Sequence, residues 1–201
     1  VRQQVLTGDI GDVVSVRAEV GQYLPDWRPG TRYQDNVSAQ AALGGGALLE
    51  LSHELDYLYW MFGLPHSVTA RGGRLSALEL DVEDLVELLL EYENPRRLVS
   101  VHLDFIQRVS HRSCRIIGSQ GTLVWDAIKD VVEIYRVETA QWDRTEFPAL
   151  DRNQAYLEET RDFLFSTDET RGKLPGLSAA YDVVAIVEAA KDSIASGKTI
   201  R

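Results

Sequence analysis

The feature that most restricts how this chain can fold is the return of apolar residues at every second position in one segment after another. Across residues 13–24, Val14, Val16, Ala18 and Val20 alternate with Ser15, Arg17 and Glu19, the period of a strand with one covered face. Residues 85–92 repeat it with Val86, Leu88, Leu90 and Tyr92, ahead of a turn at Asn94 and Pro95. In RRLVSVHLDFIQR, Val99, Val101, Leu103 and Phe105 face one way and Ser100, His102, Asp104 and Arg108 the other. Shorter strands are predicted at 68–71, 112–117, 122–125 and 131–137. Few of them are separated by enough chain for a helical crossover, so their sheet is predicted to be largely antiparallel.

The period changes elsewhere. In ALLELSHELDYLYWMF (47–62), Leu48, Leu51, Leu55 and Leu58 recur at helical spacing, with Glu50, His53 and Tyr57 on another face, until Gly63, Leu64 and Pro65 end the run. Tyr156, Leu157, Thr160, Phe163 and Leu164 predict a second helix. Leu177, Ala180, Val184, Val187 and Ile194 predict a third, capped by Gly197. Residues 25–46 read as a long irregular loop, a kind of segment that often carries function. The expected fold is α+β: a largely antiparallel open β-sheet with helices packed on one face, as one domain over residues 1–201.

With 201 residues, 44% of them hydrophobic and 26% charged, the chain suits one globular domain with a substantial core. Its net charge of −10 argues against a nucleic-acid partner, because phosphate recognition needs concentrated Lys and Arg. No run approaches the roughly 18 to 20 apolar residues of a membrane span, and no signal-peptide pattern opens the chain. The single cysteine, Cys114, sits in HRSCRII, where alternation favours a packed strand residue over a nucleophile. A reducing, cytoplasmic location is therefore expected. VRQQVLTG reads as a helix tail ending at Gly8, and Val1 is no initiator, so a longer parent chain is expected.

His53 stands three residues after Glu50 and three before Asp56, so on one helix both carboxylates could approach the imidazole. Such neighbours would suit a proton shuttle near neutral pH. A histidine satisfied by local hydrogen bonds fits the same spacing. Tyr23, Trp27, Arg28, Arg32 and Tyr33 combine aromatic faces with planar cations, which suits sugar rings or carboxylated substrates. Loop stapling and surface ion pairs are their alternative. Metal binding is disfavoured by the absence of any recognised zinc spacing. The glycines Gly44, Gly45 and Gly46 do not continue into G-x-G-x-x-G, since Leu49 occupies the third position, and no Lys-Ser or Lys-Thr pair follows them. Backbone freedom at a loop-to-helix corner is the expected use.

The order of GDIGDV, YLPDWRPGTRY, GGGALLELSHELDYLYWMFG and RIIGSQGTLVWD, followed by a helical tail, resembles the C-terminal domain of Gfo/Idh/MocA oxidoreductases over essentially the whole chain. The resemblance implies the glyceraldehyde-3-phosphate-dehydrogenase-like C-terminal fold, used for substrate binding and for oligomerisation. It implies a parent whose N-terminal Rossmann domain, absent from this chain, binds NAD or NADP and supplies a catalytic lysine. Lys129, Lys173, Lys191 and Lys198 do not directly precede a proline, so that lysine is not carried over. The family's histidine matches His53, which implies a role in proton transfer during hydride exchange with a sugar, cyclitol or related polyol. Glu50 and Asp56 match its acidic neighbours, and Trp27, Arg28, Arg32 and Tyr33 are the expected substrate contacts. A homodimer or homotetramer through the sheet is implied, and no tightly bound NAD or NADP is expected on this chain alone. A non-catalytic sugar-binding or oligomerisation module of the same fold is the alternative.

Overall fold

The computed structural model describes residues 1–148, 152–165 and 176–201. Among them, strands β1 (Val13–Gly21), β2 (Ser67–Gly73), β3 (Leu85–Glu93), β4 (Arg96–Asp104), β5 (His111–Gly118), β6 (Gly121–Asp126), β7 (Val131–Arg136) and β8 (Gln141–Glu146) form one sheet. Their spatial order is β2-β3-β4-β1-β5-β6-β7-β8. Every neighbouring pair is antiparallel except β1 and β4, which run parallel from Ser15↔Leu98 to Gly21↔Asp104. The α+β expectation holds, with one parallel pair at the centre.

The alternation translates into burial, except at Val14, which is exposed where the register with β5 shifts between Val13 and Ser15. Val16, Ala18 and Val20 on β1, Val99, Val101 and Leu103 on β4, and Cys114 and Ile116 on β5 are all buried on one face. That face is covered by α3 (His53–Phe62) and α5 (Leu177–Ser196), which also pack on each other. Tyr59 Oη donates to Asp182 Oδ2 at 2.6 Å and joins the two helices. Buried Ser193 Oγ accepts the Ala70 N–H at 2.8 Å, which fixes α5 against β2. The opposite face carries Arg17, Glu19, Glu87, His102 and Arg115.

The segment 47–62 folds as two helices rather than one. The first, α2 (Ala47–Glu50), gives way at Leu51 and Ser52, where the Ser52 and Glu54 N–H groups bond three residues back, to the Leu49 and Leu51 carbonyls. That tightening separates Glu50 from the face that follows. The loop 25–46 contains 3-10 turns at Leu24–Asp26, Tyr33–Asp35, Val37–Ala39 and Ala41–Leu43. Strand β8 was not foreseen: all six residues are exposed and alternate in no burial pattern, as an edge strand permits. On α5 the buried set is Val183, Ile186, Val187, Ala190 and Ser193, whereas Leu177 and Val184 are exposed. Alanines and a serine on the covered side blurred the apolar stripe. The helix expected around 156–164 exists as α4 (Arg152–Phe165), with Tyr156, Leu157, Phe163 and Leu164 exposed. The short helix α1 (Arg2–Leu6) ends with Gly8 at φ 79°, and α5 ends at Gly197 at φ 70°, both as expected.

On the uncovered face, His102 Nδ1 lies 2.6 Å from Glu87 Oε1 and Nε2 lies 2.9 Å from Asp104 Oδ2. The Asp104 hydrogen bond, reinforced by Glu87, raises the His102 pKa to about 9. Because that value lies above the unfolded one, the pair's stabilisation is full below about pH 6.5 and is lost as pH rises through 9. Urea unfolding of the wild type at pH 6, 8 and 9.5 is expected to show this decline. His102→Gln should flatten it; an equal decline in both proteins would remove His102 as its source.

Candidate functional site

At the ends of β1 and the start of β5 a cleft of about 370 Å³ opens, lined by Gly21, Trp27, Glu50, His53, His111 and Arg112 among others. Trp27 is fixed edge-on against Phe105, with centroids 5.2 Å apart, and its Nε1 donates to the Gln22 carbonyl at 3.2 Å. The loop staple and the cleft wall are thus one residue. His53 opens α3 and leaves 44% of its side chain exposed.

The carboxylate beside His53 is neither Glu50 nor Asp56. Glu50 Oε2 accepts a hydrogen bond from Ser38 Oγ at 2.9 Å, and Asp56 is exposed on α3. Glu54 takes that place: its side chain is 0% exposed, and Oε1 lies 3.3 Å from His53 Nε2, without hydrogen-bond geometry. Arg112 Nε donates to the same oxygen at 2.6 Å. Glu54 Oε2 and the Tyr57 hydroxyl are both buried without a hydrogen-bond partner among the described residues, although near enough to shift each other's titration. Tyr57 packs edge-on against Trp125 at 5.6 Å, and the Arg112 guanidinium lies 5.4 Å from the Trp125 ring centre.

Burial and then the nearby Arg112 cation lower the His53 pKa to about 4, against a smaller rise from the hydrogen bond to the Glu50 carbonyl. The ring is therefore neutral at pH 7 and able to accept a proton. Burial raises the Glu54 pKa, opposed by Arg112 and Tyr57. Buried Cys114 beside them is pushed up to about 12 by desolvation, so it remains a thiol and packs as expected.

Trp27, Glu50 and His53 are brought together; Arg28, Arg32, Tyr33 and Asp56 lie outside the cleft lining. Arg28 is exposed, Arg32 lies 3.8 Å from exposed Asp35, and Tyr33 Oη accepts the Glu79 N–H at 2.9 Å. Glu54 and Arg112 went unnoticed, yet both left a signal. Glu54 interrupts the stripe Leu51, Leu55 and Leu58, and Arg112 shares its strand face with Cys114 and Ile116. Opposite charges at two core-facing positions are the mark of a buried pair.

The three glycines serve the corner. Gly44 and Gly46 have φ of 81° and 109°, and a Cβ on Gly46 would meet Glu83 Oε1 at 2.5 Å. Glu83 Oε1 accepts the Leu48 N–H at 3.0 Å, putting an acidic group where a phosphate would sit. Among the described residues, no cluster of three or more His, Cys, Asp or Glu is placed to hold a metal ion. Among them, no helix is long and apolar enough to cross a membrane.

Residues 1–124 match the family model of the GFO/IDH/MocA C-terminal domain. The chain belongs to the Gfo/Idh/MocA family. An uncharacterized oxidoreductase of Synechocystis sp. strain PCC 6803 is 31% identical over 136 residues, covering 56% of this chain and 35% of the relative. Levoglucosan dehydrogenase in complex with NADH superposes with a TM-score of 0.81 at 17% identity, over 99% of this chain and 61% of its own. GenD2 of gentamicin A biosynthesis, in complex with NAD, gives 0.73 at 26% identity, over 99% of this chain and 58% of its own. The chain thus spans about three fifths of those two structures and about a third of the curated relative.

The buried pair generates a test within this Gfo/Idh/MocA domain. Arg112→Met is expected to lower unfolding stability at pH 7 by about 3–5 kcal/mol, since it leaves Glu54 charged and buried. The deficit should shrink at pH 5, because the orphaned carboxylate has a raised pKa and takes up a proton in the folded state. Urea unfolding of both proteins at the two pH values checks this. An equal deficit at both would show that an orphaned charge is not the cause.

Proposed function

We propose that this chain is the substrate-binding and assembly domain of an NAD(P)-dependent oxidoreductase that acts on a hydroxyl of a sugar, cyclitol or related polyol. A Rossmann domain outside the chain would carry the cofactor, since no pyrophosphate site fits the glycine corner that Glu83 fills. When bound, the nicotinamide would exchange hydride with the reacting carbon. The residues of this chain would hold the substrate and move its proton. The observation that carries the reading is His53: a neutral imidazole at the rim of the cleft, at the position that matches the family's histidine. Sugar- and NADH-bound structures of levoglucosan dehydrogenase support the substrate and cofactor classes at the level of fold.

In this reading the hydroxyl proton passes to His53 as the carbonyl forms, and returns from it in the reverse direction. Trp27, held by Phe105 and the Gln22 carbonyl, offers an aromatic edge to the apolar side of a sugar ring. No substrate contact is assigned to Arg28, Arg32, Tyr33 or Asp56. Assembly as a homodimer or homotetramer through the uncovered sheet face is part of the proposal. It is supported by Val14, Leu98 and Trp142, which are 55%, 43% and 52% exposed there. A cytoplasmic location is proposed from the lone buried thiol.

In the full-length parent, His53→Ala is expected to lower kcat about 10²–10⁴-fold, the usual range for a general base, with the thermal unfolding midpoint little changed. Unchanged turnover would remove His53 from the chemistry. The chain alone, titrated with NADH while the emission of its four tryptophans is followed, is expected to show no saturable change. A clear binding curve would contradict the division of labour proposed here.

A further inference from the structure

We infer that Glu54, clamped by Arg112, is the positioning residue for His53. The inference rests on His53 being the proton-transferring group.

A carboxylate with no exposed surface is costly to keep in a helix that packs on a sheet, and an apolar residue of similar size would continue the Leu51, Leu55 and Leu58 stripe without that cost. Arg112 satisfies only Oε1; Oε2 has no hydrogen-bond partner among the described residues. Burying a carboxylate whose second oxygen has only the nearby Tyr57 hydroxyl beside it is a poor way to hold α3 to β5. The arrangement acquires a purpose at its outer end, where Oε1 lies 3.3 Å from His53 Nε2 and the imidazole reaches the cleft.

Two acceptors from α2 and α3 face the ring: the Glu50 carbonyl and the Glu54 carboxylate. From β5 come the Arg112 cation and, across the cleft, His111, itself 2.6 Å from Glu19 Oε1. A neutral imidazole has one N–H and can serve one of the two acceptors. With the N–H turned toward the Glu54 charge beside Nε2, Nδ1 is the nitrogen left to take the proton of a substrate hydroxyl. Burial and the Arg112 cation keep the resting ring neutral, while Glu54 supplies the opposite charge beside Nε2 once the imidazolium forms. The carboxylate itself loses and gains no bond in this step. It sets the tautomer at rest and stabilises the cation that follows, as an orienting acid does for a general base.

Two measurements test this. In this chain at pH 7, the ¹⁵N shifts of the His53 ring report which nitrogen bears hydrogen. Glu54→Gln is expected to lower the Nε2–H to Nδ1–H ratio at least threefold, and Glu54→Asp to restore part of it. An unchanged ratio in Glu54→Gln would overturn the inference. In the holoenzyme, Glu54→Gln is expected to reduce kcat at least tenfold with KM within threefold, and to cost nothing further in a His53→Ala background. An equal cost in both backgrounds, with His53→Ala itself crippled, overturns the role of Glu54 alone. Full turnover by His53→Ala overturns the functional reading instead. Should Glu54→Gln not fold, Glu54→Asp runs the same two comparisons, with a smaller expected loss that must again vanish without His53.

Discussion

The parallel pairing of β1 with β4 is the constraint on which the remaining structure depends. Two parallel strands cannot be joined by a tight turn, so the chain must leave β1 and return far away at β4. The excursion contains the loop with Trp27, helices α2 and α3, and the antiparallel pair β2 and β3. It ends by bringing Asp104 opposite Gly21, while β5 brings His111 opposite the same glycine from the other side. A Cβ at Gly21 would collide with Asp104 Oδ2 and the Gln107 amide. The cleft forms where this central strand runs out, and its wall of Trp27, Glu50 and His53 comes from the excursion that the parallel pair demands.

Period-two patterning made most of this sheet legible, because residues such as Val99, Val101 and Leu103 cannot point into water together and remain stable. Where alternation was absent, legibility failed for a physical reason. All six residues of β8 are exposed, so burial left no alternating trace in QWDRTE. The face of α5 was hard to read because its covered side includes small or polar residues, Ala190 and Ser193, the latter bonded to Ala70 of β2. The pairing of β1 with β4 was equally hidden, since register follows from the path of the intervening chain and not from either strand's own pattern.

The cleft was half visible. His53 and Trp27 are the sort of residue that draws attention, and both line the cleft. The carboxylates assumed beside the imidazole are not there, because helical spacing presumes one uninterrupted helix and the turn tightens at Leu51 and Ser52. Glu50 is thereby sent to Ser38, and Glu54 turns inward to Arg112, 58 residues further along the chain. Long-range ion pairs leave a sequence trace only as two charges interrupting two apolar patterns, and neither interruption is informative until the strands and helices are set against each other.

His53 and His102 show how far placement, and not residue type, decides chemistry. Each has a carboxylate oxygen within 3.3 Å of a ring nitrogen. His102 has a carboxylate at each nitrogen, so it holds its proton to about pH 9. At His53 the carboxylate oxygen is shared with Arg112 and lies without hydrogen-bond geometry toward the ring, and partial burial together with the Arg112 cation lowers the pKa to about 4. A proton held to about pH 9 is of no use to a reaction near neutrality, and a fixed imidazolium suits the strand surface where His102 sits. A neutral ring with an anion in reserve suits a group that must take a proton and give it back. The same local pairing of imidazole and carboxylate thus yields a charged clamp on one face of the sheet and a neutral ring, suited to accepting a proton, on the other, and the difference lies in burial and in one arginine on β5.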